Sequence, residues 1–222
     1  MRTFVIGDIH GSYKAMMQCF ERADFDAQVD RLICLGDVCD RGTEIRKVFD
    51  VLCSISKLEY ILGNHDYWAL EWIKSGKIHD AWIFQGGRAT IKDYPDGMPD
   101  SHKILLDNAH NYFLDKQRLF VHGGILTHIP LENQDQDVFL WDRSLVQEAM
   151  KRVSNHTISP ITKFEEIYVG HTPTINFNSK LPIPACEVWL MDTGAGWGGP
   201  LSMMNIDTKE IFQSEDTRML YA

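Results

Sequence analysis

Five short segments of the sequence place a carboxylate, amide or imidazole side chain next to glycine. They are Gly7-Asp8-Ile9-His10-Gly11, Gly36-Asp37-Val38-Cys39-Asp40-Arg41-Gly42, Gly63-Asn64-His65-Asp66, Val121-His122-Gly123-Gly124 and Gly170-His171-Thr172. Glycine permits tight turns and close approach of the backbone, so side chains from separate loops can converge. Each segment follows a run of residues typical of a strand. The pattern therefore predicts one polar centre built from five loops.

The residue types in these segments suit a pair of divalent metal ions. Asp8 and His10 lie two apart on an extended stretch, so both point to the same side and can bind one ion. Two ions about 3.5–4 Å apart repel each other, which favours a shared carboxylate between them, and Asp37 is the natural bridge. The remaining amide and imidazoles would complete the second ion's ligands: Asn64, His122 and His171. Oxygen and nitrogen ligands without a thiolate suit Mn²⁺, which we expect, or alternatively iron or Zn²⁺ in a catalytic site.

Strands and helices alternate through the first third of the chain. Apolar residues at helical spacing predict one helix from Tyr13 to Phe20, with Ser12 as its cap. A second apolar stripe predicts a helix from Ile45 to Ile55, and Thr43 is its candidate cap. Three buried strands are predicted before, between and after these helices: Phe4–Ile6, Leu32–Leu35 and Leu58–Leu62. Strand–loop–helix units predict a parallel sheet, in which ligands gather at the carboxyl ends of the strands.

The rest of the chain is less regular. Four aromatic residues suggest mostly helical, core-packed structure between Tyr67 and Tyr112: Trp68, Trp72, Trp82 and Phe84. The stretch from Val138 to Val153 is predicted to be mainly helical. Further strands are indicated at Leu119–His122, Ile167–Val169, Val188–Met191, Leu201–Ile206 and Glu210–Phe212. Late strands after early strand–helix units predict a second, partly antiparallel sheet.

Length and composition narrow the function classes. The chain has 222 residues, 44% hydrophobic and 24% charged, and a net charge of −9; we expect a single domain over residues 1–222. The sequence has no block of Lys and Arg residues, so we expect no nucleic-acid partner. Five cysteines without a CxxC pair favour reduced thiols in a cytoplasmic protein. Neither a signal peptide nor a membrane-spanning segment is predicted, so we expect no membrane association.

The ordered motifs resemble the signature of the calcineurin-like metallophosphoesterases, namely GDxHG, GDxxDRG, GNH[DE], HxG and GH. Within that superfamily they are most similar to the phosphoprotein phosphatases, especially the compact serine/threonine phosphatases of bacteria and bacteriophage lambda. The segment Met191-Asp192-Thr193-Gly194-Ala195 also looks familial. The resemblance implies an α/β fold in which two mixed sheets form a β-sandwich flanked by helices, with the site at one edge.

The resemblance also implies a role for each residue. Asp8 and His10 would hold the first metal, Asp37 would bridge, and Asn64, His122 and His171 would hold the second. His65 looks like the general acid and Asp40 like its orienting partner. Arg41 and Arg143 look like clamps on the phosphate. The implied reaction is hydrolysis of a phosphomonoester through in-line attack by a metal-bound hydroxide. The substrates expected first are phosphoserine and phosphothreonine.

Two alternatives stay open. One is a symmetrical diadenosine tetraphosphatase, which shares the motifs and has a similar tail around Trp197-Gly198-Gly199. Such enzymes look different where Asp40 precedes Arg41, and this short chain leaves little sequence to grip two nucleosides. The other alternative is a non-catalytic binding module with a relic metal site. The long C-terminal part of eukaryotic phosphatases is missing, so no regulatory subunit is expected, and the substrate is a phosphorylated protein or a small phosphoester.

Overall fold

The computed structural model describes residues 1–222 and contains two five-stranded sheets. The strands are β1 Thr3–Ile6, β2 Arg31–Cys34, β3 Leu58–Tyr60, β4 Tyr112–Asp115, β5 Arg118–Val121, β6 Glu166–Val169, β7 Ile183–Ala185, β8 Val188–Leu190, β9 Ser202–Asn205 and β10 Ile211–Gln213. The helices are α1 Tyr13–Arg22, α2 Ile45–Leu52, α3 Asn64–Ser75, α4 Asp80–Trp82, α5 Arg88–Asp93, α6 Asp100–Asp107, α7 Gln136–Trp141, α8 Ser144–Ser154 and α9 Thr217–Leu220.

Both sheets are mixed, as the sequence predicted. The first has the order β10-β9-β1-β2-β3, in which β1, β2 and β3 are parallel, β9 is antiparallel to β1, and β10 is antiparallel to β9. The second has the order β4-β5-β6-β8-β7, in which β5, β6 and β8 are parallel and both edge strands are antiparallel. The three parallel strands of each sheet end at the same edge of the molecule.

Side chains on each central strand alternate between two apolar layers, because successive residues of a strand face opposite sides. Phe4 and Ile6 of β1 face the helices, whereas Val5 faces the other sheet. In β5, Phe120 faces the first sheet, while Leu119 and Val121 pack under α8. The layer between the sheets consists of Val5, Ile33, Leu35, Ile61, Phe120, Tyr168, Met191, Met204 and Ile206. The chain is therefore a β-sandwich with helices outside both sheets.

The structure departs from the predictions in local detail. The helical stretch after Val138 breaks at Asp142, so that α7 and α8 are separate helices. Glu44 rather than Thr43 occupies the N-cap position of α2. Phe84 was expected in the core, but it is 93% exposed, because a π-helical turn at Ile83–Gly87 points it outward. The edge strands β4 and β7 were not predicted. None of the helices is both long and apolar enough to cross a bilayer.

Candidate dinuclear metal centre

All five motif segments lie at the edge where the central strands end. The first three follow β1, β2 and β3, and the last two follow β5 and β6 of the other sheet. Parallel strands bring their carboxyl ends to one edge of a sheet, and here the two sheets present those edges side by side. Asp8, Asp37 and Asn64 thus approach the centre from one sheet, and His122 and His171 from the other.

At two glycines the backbone of a neighbouring loop lies directly against a carboxylate of the site. A Cβ atom on Gly63 would lie 2.2 Å from Oδ1 of Asp37, and one on Gly170 would lie 2.2 Å from Oδ1 of Asp8. Neither contact is sterically possible, so any side chain at these positions would displace a carboxylate. These two positions explain why glycine accompanies the polar residues of the motifs.

The backbone of the site is strained. Five non-glycine residues of the first, second and last motifs have a positive φ: His10 (46°), Asp37 (49°), Asp40 (72°), Arg41 (66°) and His171 (61°). Left-handed backbone is unfavourable for residues with a Cβ atom and persists where surrounding contacts hold it in place. Such residues cluster at functional sites, and here they share one edge of the sandwich.

Asp37 lies between two groups of candidate ligands. Its Oδ2 is 3.7 Å from Nε2 of His10 and 3.4 Å from Nε2 of His122. The possible ligand atoms of His10, Asp37 and His65 lie within 4.8 Å of one another, and so do those of Asp37, His122 and His171. Asp37 belongs to both groups, which is the arrangement expected of a bridging carboxylate.

Backbone carbonyls orient two of the imidazoles. Nδ1 of His10 is 2.8 Å from the carbonyl oxygen of Cys39, and Nδ1 of His122 is 2.7 Å from that of Leu35. A carbonyl can only accept, so each Nδ1 carries the proton and donates it. Each Nε2 is then left with a lone pair directed toward Asp37. Metal-binding histidines are typically oriented in this way.

Burial shapes the electrostatics of the site. It raises the pKa of Asp8 well above its usual value, and repulsion from Asp192 and Asp37 adds to the shift. Asp192 itself, buried beside the motifs, has a pKa raised to about 6 by burial and by the charge of Asp37. Burial and the neighbouring His65 lower the pKa of His10 to about 3. The site thus gathers acidic groups that repel one another and a His10 imidazole that stays neutral.

These features fit two divalent cations. Cations would offset the repulsion among the buried carboxylates, and neutral imidazoles are the form that binds metal. Nε2 of His171 is buried and has no hydrogen-bond partner among the protein atoms. Oδ1 of Asn64 lies 3.0 Å from Nε2 of His122, so amide and imidazole converge on one point. The donor set consists of oxygen and nitrogen atoms alone, as hard or borderline divalent ions require.

His65 and Asp40 form a second functional unit beside these ligands. Nδ1 of His65 lies 2.5 Å from Oδ2 of Asp40, and both side chains are buried. With its Nδ1 proton donated to Asp40, His65 can use Nε2 to accept from Nη2 of Arg41, which lies 3.3 Å away. The geometry is that of an oriented acid–base histidine next to a guanidinium group.

A cavity of about 300 Å³ opens above the candidate ligands. Arg41 and Arg143 both line it, and burial lowers the pKa of each. The guanidinium carbon of Arg41 lies 3.9 Å from the ring centre of Trp197, whose side chain is exposed at the cavity mouth. The guanidinium groups of Arg41 and Arg143, which line the same cavity as the candidate metal ligands, can bind the oxygens of a phosphoryl group placed between them and the metal site.

The structure brings all ten residues singled out in the sequence to this place. Eight line the cavity: Asp8, His10, Asp37, Arg41, Asn64, His65, Arg143 and His171. His122 and Asp40 lie directly behind them, fully buried.

Several residues of the site were missed. Asp192, Gln85, Trp141 and Asn176 also line the cavity. The sequence analysis included Asp192 in a segment that resembles the family but assigned it no role. Its burial next to Asp8 could not be predicted from the spacing of residues in the sequence.

A fold of two packed mixed sheets, with oxygen and nitrogen ligands at the shared strand ends, defines a metal-dependent phosphoester hydrolase. The chain belongs to the calcineurin-like phosphoesterase family, whose model matches residues 1–195. The resemblance drawn from the motifs is thereby confirmed. That family uses a dinuclear divalent metal site.

The chain is similar to relatives with two different names. It is 38% identical to a symmetrical bis(5'-nucleosyl)-tetraphosphatase of Coxiella burnetii, over 95% of this chain and 90% of that protein. It is 26% identical to serine/threonine-protein phosphatase 1 of Salmonella typhimurium, over 91% of each chain. A solved structure described as a putative diadenosine tetraphosphatase shares the fold, with a TM-score of 0.69, 17% identity and coverage of 96% and 92% of the two chains.

Proposed function

We propose that this protein is a phosphomonoesterase that hydrolyses phosphoserine and phosphothreonine in proteins. One observation carries the proposal: the His65–Asp40 pair is complete, buried and placed at the cavity beside Arg41. His65 is the proposed general acid: while Nδ1–H stays bonded to Asp40, Nε2 carries a second proton, in place of accepting from Arg41, and gives it to the departing oxygen. Asp40 holds the ring so that Nε2 faces the cavity.

The basicity of the leaving group links this pair to the substrate. A serine or threonine alkoxide is a strong base and departs slowly unless it is protonated, so an oriented acid accelerates its release. Symmetrical cleavage of a dinucleoside tetraphosphate releases a nucleoside diphosphate, which is a weak base and needs little protonation. An intact acid pair therefore contributes most to hydrolysis of an alkyl phosphate.

The proposed metal ligands are those that converge on Asp37. Asp8 and His10 would hold one ion, Asn64, His122 and His171 the other, and Asp37 would bridge. When bound, two divalent ions supply Lewis acidity and lower the pKa of a coordinated water toward neutrality. We propose Mn²⁺ as the native metal, with iron or zinc as alternatives, because a donor set of oxygen and nitrogen atoms without a thiolate suits these ions.

Arg41 and Arg143 are the proposed phosphate clamps. Both guanidinium groups face a cavity whose opposite wall consists of the candidate ligands. The cavity is at the low end of the size range of small-molecule sites, which is about 300–1,000 Å³. It can take a phosphorylated side chain, while the rest of a protein substrate stays outside.

A symmetrical dinucleoside tetraphosphatase is the second candidate. The relative from Coxiella burnetii carries that name, and the exposed face of Trp197 offers a surface on which a base could stack. Aromatic–base stacking is worth roughly 1–3 kcal/mol per base. The same surface can also contact a peptide, so it does not by itself select the dinucleotide.

A comparison of substrates tests the proposal. The kcat/KM for a phosphoserine peptide, an aryl phosphate and diadenosine tetraphosphate is measured with Mn²⁺, Fe²⁺ and Zn²⁺ in turn. We expect the peptide to be hydrolysed at least as well as the dinucleotide. A preference of about a hundredfold for the dinucleotide, roughly 2.7 kcal/mol, would establish the second candidate instead. No turnover of any substrate with any metal would favour a non-catalytic binding module.

The acid is tested by His65→Asn. We expect kcat to fall roughly 10²–10⁴-fold for alkyl phosphates and much less for aryl phosphates, with the metal content unchanged. The exposed His128→Asn variant, which lies outside the cavity, serves as the control. Equal losses on both substrate classes would show that His65 is not the acid.

A further inference from the structure

The carboxylate of Asp40 is held by two residues far along the chain from the motifs. Oγ1 of Thr90 donates to Oδ1 of Asp40 at 2.5 Å, and Nε1 of Trp82 donates to Oδ2 at 2.8 Å. The backbone N–H of Asp40 in turn donates to Oγ1 of Thr90 at 3.0 Å. With His65 as a third side-chain donor, both carboxylate oxygens are satisfied. All four side chains are buried.

The segment between these two residues also contacts the phosphate clamp. The backbone N–H of Arg41 donates to the carbonyl of Gly86 at 3.3 Å. Gly86 has φ of 115°, and a Cβ there would lie 2.9 Å from Cγ of Arg41. A Cβ on Gly87 would lie 2.5 Å from the ring of Trp82. The Trp82–Thr90 segment is therefore fitted closely against Asp40 and Arg41 of the second motif.

We infer that Trp82 and Thr90 are positioning residues for the catalytic acid, an inference that rests on the proposed role of His65. Asp40 has a positive φ of 72°, so its own backbone does not fix its side chain in a relaxed geometry. Trp82 and Thr90 each donate one hydrogen bond to the Asp40 carboxylate, and Thr90 also accepts one from the Asp40 backbone. These contacts fix the carboxylate, which in turn fixes the imidazole. A histidine ring held in one orientation keeps Nε2 aimed at the leaving oxygen.

A packing role alone explains less of this arrangement. A buried Thr that only filled space could be replaced by Val, which has almost the same shape. Here the hydroxyl is both donor to and acceptor from Asp40, and the polar edge of the indole points to the same carboxylate. Buried polar groups are costly unless they are paired, so these pairings specify the orientation of Asp40.

The experiment compares Thr90→Val, Thr90→Ser and Trp82→Phe in the metal-loaded protein. We expect Thr90→Val and Trp82→Phe each to lower kcat for an alkyl phosphate by about tenfold or more, a fraction of the effect of losing the acid. The kcat for an aryl phosphate should change by less than about threefold, and KM should be nearly constant. Thr90→Ser keeps the hydroxyl and should restore the alkyl activity.

A matched control comes from Trp72, whose ring centre lies 5.9 Å from that of Trp82. Its indole donates no hydrogen bond to Asp40, so Trp72→Phe removes similar packing and should leave the alkyl-to-aryl ratio unchanged. If Trp82→Phe behaves like Trp72→Phe, or if Val and Ser at position 90 are equivalent, the positioning role is wrong.

A second readout does not depend on turnover. In Zn²⁺-loaded protein, which is diamagnetic, the hydrogen-bonded Nδ1–H of His65 should give a downfield proton resonance that His65→Asn removes. We expect Thr90→Val to shift or broaden it and Thr90→Ser to keep it. An unchanged resonance in Thr90→Val and Trp82→Phe would overturn the inference. If His65→Asn instead shows no leaving-group dependence, the proposed acid fails, and the resonance still decides whether Trp82 and Thr90 hold the ring.

Discussion

The floor of the cavity and its rim are built from different kinds of backbone. The floor consists of five candidate ligands with the sixth, His122, directly behind them. All six are at most 8% exposed and follow strand ends: Asp8, His10, Asp37, Asn64, His122 and His171. The rim consists of Gln85, Ile175, Asn176 and Trp197, which lie on a π-helical turn and two short 3₁₀ turns. Trp197 is 62% exposed.

This difference separates the buried residues that would hold the metals from the exposed residues that would contact the rest of the substrate. Strand ends in a packed sandwich are fixed by two sheets, so they can hold charged ligands at short range against their mutual repulsion. Exposed side chains on surface turns can change without disturbing the sheets. The relatives named as tetraphosphatase and as protein phosphatase are both similar to this chain over most of its length, and besides the position of Asp40 we expect such enzymes to differ at the rim.

The largest effect is expected on the floor, from Asp37→Asn. The substitution keeps the size of the side chain but removes the charge that would offset two cations. We expect activity to fall by at least about 10³-fold and bound metal to drop below two ions per chain, measured by elemental analysis. Asp207→Asn, at an exposed carboxylate paired with Arg118, should change neither quantity. Two tightly bound metals with near-normal turnover in Asp37→Asn would remove the assignment of a bridge.

An intermediate effect is expected where floor and rim meet, at the two arginines. Arg41→Ala and Arg143→Ala should each reduce transition-state stabilisation by about 2–4 kcal/mol, read from kcat/KM. Arg152→Ala, which removes a guanidinium paired with Glu148 outside the cavity, is the matched control. Wild-type behaviour of Arg143→Ala would mean that Arg143 lines the cavity without binding the phosphoryl group.

The smallest effect is expected on the rim, from Trp197→Ala. Loss of the cation–π contact with Arg41 should raise KM for a phosphopeptide by an amount corresponding to about 0.5–1 kcal/mol, with little change in kcat. Trp197→Phe should recover most of the difference. A loss nearer 1–3 kcal/mol that is confined to diadenosine tetraphosphate would instead identify Trp197 as a base-stacking platform and shift the comparison toward the second candidate.

Much of the floor could be predicted from the sequence, because its residues occur in ordered motifs directly after strands. Short apolar runs likewise located β1 and β2, whose side chains are almost all buried, and helical spacing located α1, which has one buried face. The same logic failed for β4 and β7, which are short edge strands with few buried side chains. Phe84 failed for the opposite reason: an apolar residue type was taken as evidence of burial, although one irregular turn exposes it.

The positioning residues of the acid could not be predicted from spacing. Trp82 was assigned to the core, and it is buried, but its hydrogen bond to Asp40 depends on how the segment from α4 to α5 folds back on the second motif. Thr90 carried no signal at all. Arg143 was found through resemblance, and the helix break that places it at the cavity was not foreseen.

The pairing of β1 with β9 has a consequence for how the protein is made. Phe4 pairs with Asn205, so the first sheet joins the two ends of the chain. During synthesis the N-terminal strand emerges long before its partner, and contacts between distant residues form slowly because a large loop must close. Asp8 and His10 follow β1 directly, and Asp192 precedes β9. The centre can be completed only after β9 has been made and has paired with β1, so we expect metal binding to follow that pairing.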